Sequence, residues 1–382
     1  MKKHYYLNNT LLTFCSLLML AVASCKKNTP AVVIATPANL NLYAAGETDQ
    51  DTTYRALYIG ITTIGTQNTT QYAWDFDTGS GGLVVDANGI VPASMITTSG
   101  FNFTGDSTVV NGITITNQTE TIVYGSSNIG VKVYGNLAYA TVTIGDPGTN
   151  NITIKRLPFF LYYNAVDVSG ATVYPHEFDI MGVESSNDLS FRNGAYITSP
   201  LSYYSPGTGL TSGYKLAAIP SSQFSNDYSL NVVSNAVTVG LTSADLSSSS
   251  GFAIHQLTRS STYGYYSNVA GTITYGTKSF NTSAIFFDTG TNFGSFIDDP
   301  SAPATTSALP NNTPVTVTTT EGFKDTYTTP APNTPTNCYL TYLENPASKS
   351  SEGVTVFGIE FIYRNQYMMD YTNHKVGIKN ND

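Results

Sequence analysis

Two copies of one short pattern stand 211 residues apart in this chain: Trp74-Asp75-Phe76-Asp77-Thr78-Gly79-Ser80 and Ile285-Phe286-Phe287-Asp288-Thr289-Gly290-Thr291. Each is an apolar strand ending in Asp-Thr-Gly, with a hydroxyl residue next. The residue types suit one kind of chemistry. The strand carries a carboxylate out of the core to its end. Glycine allows a tight turn and the close approach of a second backbone. N–H groups in the turn, with the Ser80 or Thr291 hydroxyl, can hydrogen-bond the carboxylate and favour its ionisation. If the two turns meet face to face, Asp77 and Asp288 share one site and cannot both be charged at modest pH. One carboxyl then keeps a proton, which places a general acid beside a general base.

A single Asp-Thr-Gly is usually an ordinary turn. Two copies in opposite halves of a β-patterned chain, each following an apolar strand, point to a paired site. Alternation along the first strand places Asp75 on the same face as Asp77. There it either acts as a third carboxylate that raises the pKa of the pair or turns to solvent or a local partner. Other motifs carry less. Gly271-Thr-Ile-Thr-Tyr-Gly276-Thr277-Lys278 nearly spells a phosphate-binding loop, but Thr and Lys are reversed and no helix follows. No Gly-x-Ser-x-Gly elbow occurs. His4, His176, His255 and His374 are scattered, so no metal site is expected.

The elements that must hold these turns read as strands. Charged residues make up only 11% of the 382, well under the roughly 25% of an average soluble domain. The abundance of Tyr (27) favours half-buried strands. Residues 107–145 alternate in short runs broken by Gly and Asn, the pattern of hairpins. Residues 184–226 read as loop, and 300–336, rich in Thr and Pro, as an exposed loop pair. Helices longer than a few turns are not expected. The length suits two lobes, placed at 54–225 and 226–382. Net charge is −9, and more negative still without residues 1–24, whose only charges are Lys2 and Lys3. An acidic surface of this kind argues against nucleic-acid binding.

At the N-terminus, Lys2 and Lys3 precede an apolar run over 11–23 that is too short to span a bilayer, so residues 1–24 read as an export signal. Val22-Ala23-Ser24-Cys25 resembles a bacterial lipobox, which implies lipidation of Cys25 and attachment to the cell envelope, with outer-membrane sorting. Residues 25–53 then form the anchor and a tether, with a short strand at Val32-Val33-Ile34. Cys15 lies in the signal, so Cys338 would be the one thiol left and no internal disulfide can form. Cys338 reads as a packed or surface thiol. Lys26 and Lys27 are the only basic residues over 26–53. No carboxylate-pairing prosegment is therefore expected, and activity should need no cut beyond signal removal.

With both motifs in place, the chain resembles the pepsin family of bilobal aspartic peptidases over roughly residues 54–380. Further segments match in order. Residues 56–65 resemble the strand pair before the first Asp. Phe178-Asp179-Ile180-Met181-Gly182 and Val356-Phe357-Gly358 resemble the segments that pass beneath the two loops. The tail over 361–371, followed by Lys375-Val376-Gly377-Ile378, is similar to the family's C-terminal signature. Asp77 precedes Gly182 by 105 residues and Asp288 precedes Gly358 by 70. The family carries its flap hairpin in that extra length. Tyr124-Gly125 matches the flap, with Tyr134-Gly135 as a rival. The resemblance implies an all-β fold of two pseudo-symmetric lobes around a cleft. It also implies hydrolysis of internal peptide bonds in a polypeptide substrate by a monomer without cofactor. Asp77 and Asp288 would be catalytic, Ser80 and Thr291 would tune them, and Thr78, Gly79, Thr289 and Gly290 would complete and lock the loops. The alternative is a catalytically silent peptide- or protein-binding lipoprotein on the same fold. Three departures stand out: Gly82-Leu83-Val84-Val85 where the family often has Trp, Asp75, and Ile359 where an Asp is common.

Overall fold

Alternation of buried and more exposed residues marks strands such as Val269–Tyr275 and Lys324–Thr328, while the central strands Gly81–Asp86 and Ile180–Val183 are buried almost throughout. The computed structural model describes residues 34–48, 53–125, 130–148, 150–187, 189–261, 264–330, 340–348 and 353–381. The expected signal, Cys25 and Cys338 lie outside them. Ile34 is exposed, and the chain from Ala35 onward forms one compact unit. Among the described residues the regular structure is strands joined by 3₁₀ turns. A sixteen-stranded sheet holds the first motif and an eight-stranded sheet holds the second, so the protein is all-β and bilobal.

Both motifs are built alike. The strand Trp74–Asp77 buries Trp74 and Phe76 completely on its core face. Beyond the turn the chain returns as Gly81–Asp86, and Ile180–Val183 inserts between the two. It runs parallel to the first, with Gly182 opposite Asp77, and antiparallel to the second, with Gly182 opposite Gly82. In the other lobe, Lys278–Phe287 leads to Asp288, the chain returns as Ser295–Asp298, and Thr355–Phe357 lies between them. Gly182 and Gly358 permit this crossing. A Cβ on Gly182 would stand 2.5 Å from the Ser80 carbonyl oxygen, and one on Gly358 would stand 2.2 Å from that of Gly294.

The expected tether is corrected in part. Ala38–Thr48 is an eleven-residue strand between Thr53–Ile59 and Asn231–Leu241, with Leu40, Leu42 and Ala44 fully buried. Its short run of apolar residues among Ala and Asn hides the alternation in sequence. The first sheet also does not stop near residue 226. Its path continues through Asn231–Leu241 and Thr211–Leu216 to Asn365–Asp370, Lys375–Asn380 and Ala253–Gln256. Strands from both halves of the sequence thus form one bridging layer. Buried Tyr214 packs in it against Phe76, Tyr367 and Tyr371, with ring centroids 5.9–6.2 Å apart. The region 300–336 is likewise not all loop. Pro314–Thr319 and Lys324–Thr328 form a hairpin at the edge of the second sheet that buries Val315, Val317 and Tyr327.

The hairpins expected over 107–145 are present. Ile113–Tyr124 and Val131–Gly145 pair along most of their length, Tyr124 facing Val131 next to the tip.

Candidate active site

Two threonines tie the loops together. Thr78 Oγ1 donates to the Phe287 carbonyl at 2.8 Å and accepts from the Thr289 N–H at 2.9 Å. Thr289 Oγ1 donates to the Phe76 carbonyl at 2.6 Å and accepts from the Thr78 N–H at 3.0 Å. All four groups are buried. Each hydroxyl therefore satisfies a donor and an acceptor of the other lobe, and neither loop can move without orphaning both.

Within this frame each carboxylate is held by its own turn. The Gly79 N–H donates to Asp77 Oδ1 at 2.6 Å and the Ser80 hydroxyl to Oδ2. The Gly290 N–H donates to Asp288 Oδ1 at 2.8 Å and the Thr291 hydroxyl to Oδ2 at 2.6 Å. Each glycine also faces the opposite carboxylate. A Cβ on Gly79 would lie 2.2 Å from Asp288 Oδ1, and one on Gly290 would lie 2.6 Å from Asp77 Oδ1. The two acids thus meet across the pseudo-dyad, as the repeated motif requires. Burial, then the charge of Asp77, raises the Asp288 carboxyl above the ordinary carboxylate range, against the Thr291 and Gly290 hydrogen bonds that lower it. The pair can hold one shared proton at pH values where two separate carboxyls would have none.

Asp75 does not turn away to a partner. Its Oδ1 is buried and accepts no hydrogen bond. Burial, then Asp77 and Asp288, holds its carboxyl well above the usual range. Tyr58 lies opposite it on the neighbouring strand and Ile180 beside it on the other side.

Tyr124 stands at the hairpin tip, where Gly125 takes a left-handed conformation at φ 78°. Its ring stacks on Phe178 at 5.8 Å and 20°. Tyr134 lies on the return strand, paired with Thr121 and Asn164, so of the two tyrosines Tyr124 is the one at the end of the hairpin. A hollow of about 420 Å³ opens beneath the hairpin, lined by Ser80, Val84, Glu120, Ile122, Tyr124 and Leu189. That volume falls within the roughly 300–1,000 Å³ of small-ligand pockets. Val84, small where a Trp was expected by resemblance, leaves part of this space open. Leu189 and Glu120 were not foreseen, because loop residues lining a hollow carry no periodic signal.

Other buried polar groups hold the loops in place. Glu184, just past the inserted strand, accepts from the Ser267 N–H at 2.8 Å and hydroxyl at 3.0 Å. The Tyr371 hydroxyl donates to the Val183 carbonyl at 2.7 Å. The three described histidines are engaged elsewhere: His176 Nδ1 bonds Asp179 at 2.8 Å, His255 bonds Thr319 at 3.0 Å, and His374 stacks on Tyr265.

Comparison with solved structures places this architecture. The crystal structure of aspartic proteinase from Irpex lacteus matches with a TM-score of 0.52 at 18% identity, covering 91% of this chain and 97% of that one. The fold is therefore that of a pepsin-like aspartic proteinase. No sequence-family description matches the chain, and no curated protein does.

Proposed function

We propose that the chain is an aspartic-type endopeptidase that hydrolyses internal peptide bonds of extended polypeptides. The observation that carries this reading is the approach of Asp77 and Asp288, each glycine of one loop lying against the carboxylate of the other. A water held between the two carboxyls attacks the scissile carbonyl. The ionised carboxylate takes the proton of that water while the protonated partner gives its proton to the carbonyl oxygen. The tetrahedral diol then collapses as a proton passes to the leaving amine. The steps need no metal or organic cofactor. Tyr124 and Gly125, at the hairpin tip, cover the substrate and exclude water. The reading extends to the cell: residues 1–24 direct export, and Cys25 carries a lipid that holds a monomeric enzyme at the outer membrane.

The test is digestion of an unfolded protein between pH 3 and 8 by the chain from residue 26 onward, beside Asp77→Asn and Asp288→Asn. Each variant is expected to lose at least about 10³-fold in rate, within the 10²–10⁴-fold range of a general acid or base. Cleavage that survives in a folded variant, or that the wild type lacks at every pH, overturns the reading.

A further inference from the structure

We infer that Asp75 is a specificity-determining carboxylate, which takes the cationic head of a lysine or arginine side chain flanking the bond to be cut. The inference rests on the peptidase reading for its substrate and on separate observations for its chemistry.

Asp75 and Asp77 lie two residues apart on one strand face, while Trp74 and Phe76 fill the core on the other. Two strand residues advance the chain by about 7 Å, so Asp75 sits one side-chain length from the reacting centre. It keeps part of its surface open, yet its Oδ1 is buried and accepts no hydrogen bond. A buried acceptor with nothing to accept from is uncommon in a folded protein. Here it lies on the strand face of Asp77, opposite the face that carries Trp74 and Phe76 into the core.

The surroundings suit a cation. Tyr58 is the cross-strand neighbour of Asp75, and Tyr54 lies on the same face of the same strand. Both phenols are raised by burial first and also by their neighbours, the charge of Asp75 among them. Two aromatic rings beside a carboxylate form a receptor for an ammonium or guanidinium group. Among the described residues no ion pair to Asp75 is formed. Arg55, between the two tyrosines in sequence, lies on the opposite face and donates to the Glu47 and Tyr54 carbonyls and to Asn226. The groups that act on Asp75 besides burial are Asp77 and Asp288. An arriving cation relieves the repulsion among the three carboxyls. Ile180, on the other flank, offers apolar contact to the stem of a long basic side chain.

The experiment uses two peptide series, each varying one residue flanking the cleaved bond among Lys, Arg, norleucine and Glu. Wild type, Asp75→Asn and Asp75→Leu are compared by the ratio of kcat/KM for Lys over norleucine. At one flanking position the wild-type ratio is expected to exceed about tenfold and to fall at least tenfold in both variants, with Glu the poorest residue in wild type. A wild-type ratio near unity at both positions, or one unchanged by the substitutions, overturns the inference. Calorimetry with statine-containing peptides carrying Lys or norleucine at the same position separates the two readings. Tighter binding of the Lys peptide that depends on Asp75, in a protein that cleaves nothing, leaves this inference standing and removes the catalytic one. Cleavage abolished by Asp77→Asn but indifferent to Asp75 removes this inference alone.

Discussion

The residues that matter most act in reciprocal pairs. Thr78 and Thr289 each give and receive one hydrogen bond across the lobes, so removing one hydroxyl orphans two buried backbone groups. Replacing Thr289 by Val leaves the Phe76 carbonyl and the Thr78 N–H without partners. The expected cost is roughly 2–6 kcal/mol of stability, from about 1–3 kcal/mol for each of the two orphaned groups. Urea denaturation measures it, and Thr289→Ser, which keeps the hydroxyl, should recover most of the loss. A Val variant as stable as wild type would mean that the loops are held together by something else. The same pairing explains why Gly79 and Gly290 stand where they do: any side chain there would occupy the space of the opposite carboxylate.

At the scale of elements, the strand Ala38–Thr48 changes what the N-terminal region means. It lies between two neighbours and buries Leu40, Leu42 and Ala44. Losing it would open two strand edges and remove two core leucines, at about 2–5 kcal/mol for each leucine. That loss is comparable with the whole stability of a typical domain, roughly 5–15 kcal/mol. A chain beginning at Ala35 is expected to melt cooperatively, and one beginning at Thr53 is not. Circular dichroism through a thermal ramp checks this. A cooperative melt from the shorter chain would return the segment to the status of a dispensable tether. The hairpin Ile113–Tyr124 with Val131–Gly145 was legible from its alternation, and the order of Tyr-Gly pairs pointed to Tyr124. Its stack on Phe178, 54 positions away, was not legible, because nothing local records which aromatic a tip residue will meet.

For the molecule as a whole, buried acids set the response to pH. Asp75, Asp288 and Glu360 are raised by burial first, and Asp179 is raised to about 6 for the same reason against the opposing pull of His176. A carboxyl whose folded pKa exceeds its unfolded value lends stability that is whole below the unfolded range, about pH 4, and lost as pH rises through the folded value. For Asp179 that window runs from about pH 4 to 6. His255 and His374, held low by burial, act the other way as pH falls below about 6.5. Glu360 isolates the effect. It is 2% exposed, and its carboxylate oxygens meet no donor beyond its own backbone. Between pH 5 and 8 the Tm of wild type is expected to fall further than that of Glu360→Gln, because ionising the buried carboxyl costs the folded state stability that the amide keeps. Scanning calorimetry at several pH values measures it. Parallel curves would show that Glu360 ionises freely in the fold.

What the sequence determined by itself was the β class and the two motifs that had to meet. Strand alternation and the residues of a tight turn are local properties, written within a few positions. It also placed Asp75 on the face of Asp77, since a period of two needs no partner to be read. Only the tertiary structure decided that Asp75 finds no hydrogen-bond partner, that Tyr54 and Tyr58 flank it, that residues 38–48 are a core strand, and that one sheet crosses the expected lobe boundary. Each of these depends on contacts between distant segments, and burial and pairing are properties of the surface an element meets, which its own residues do not encode.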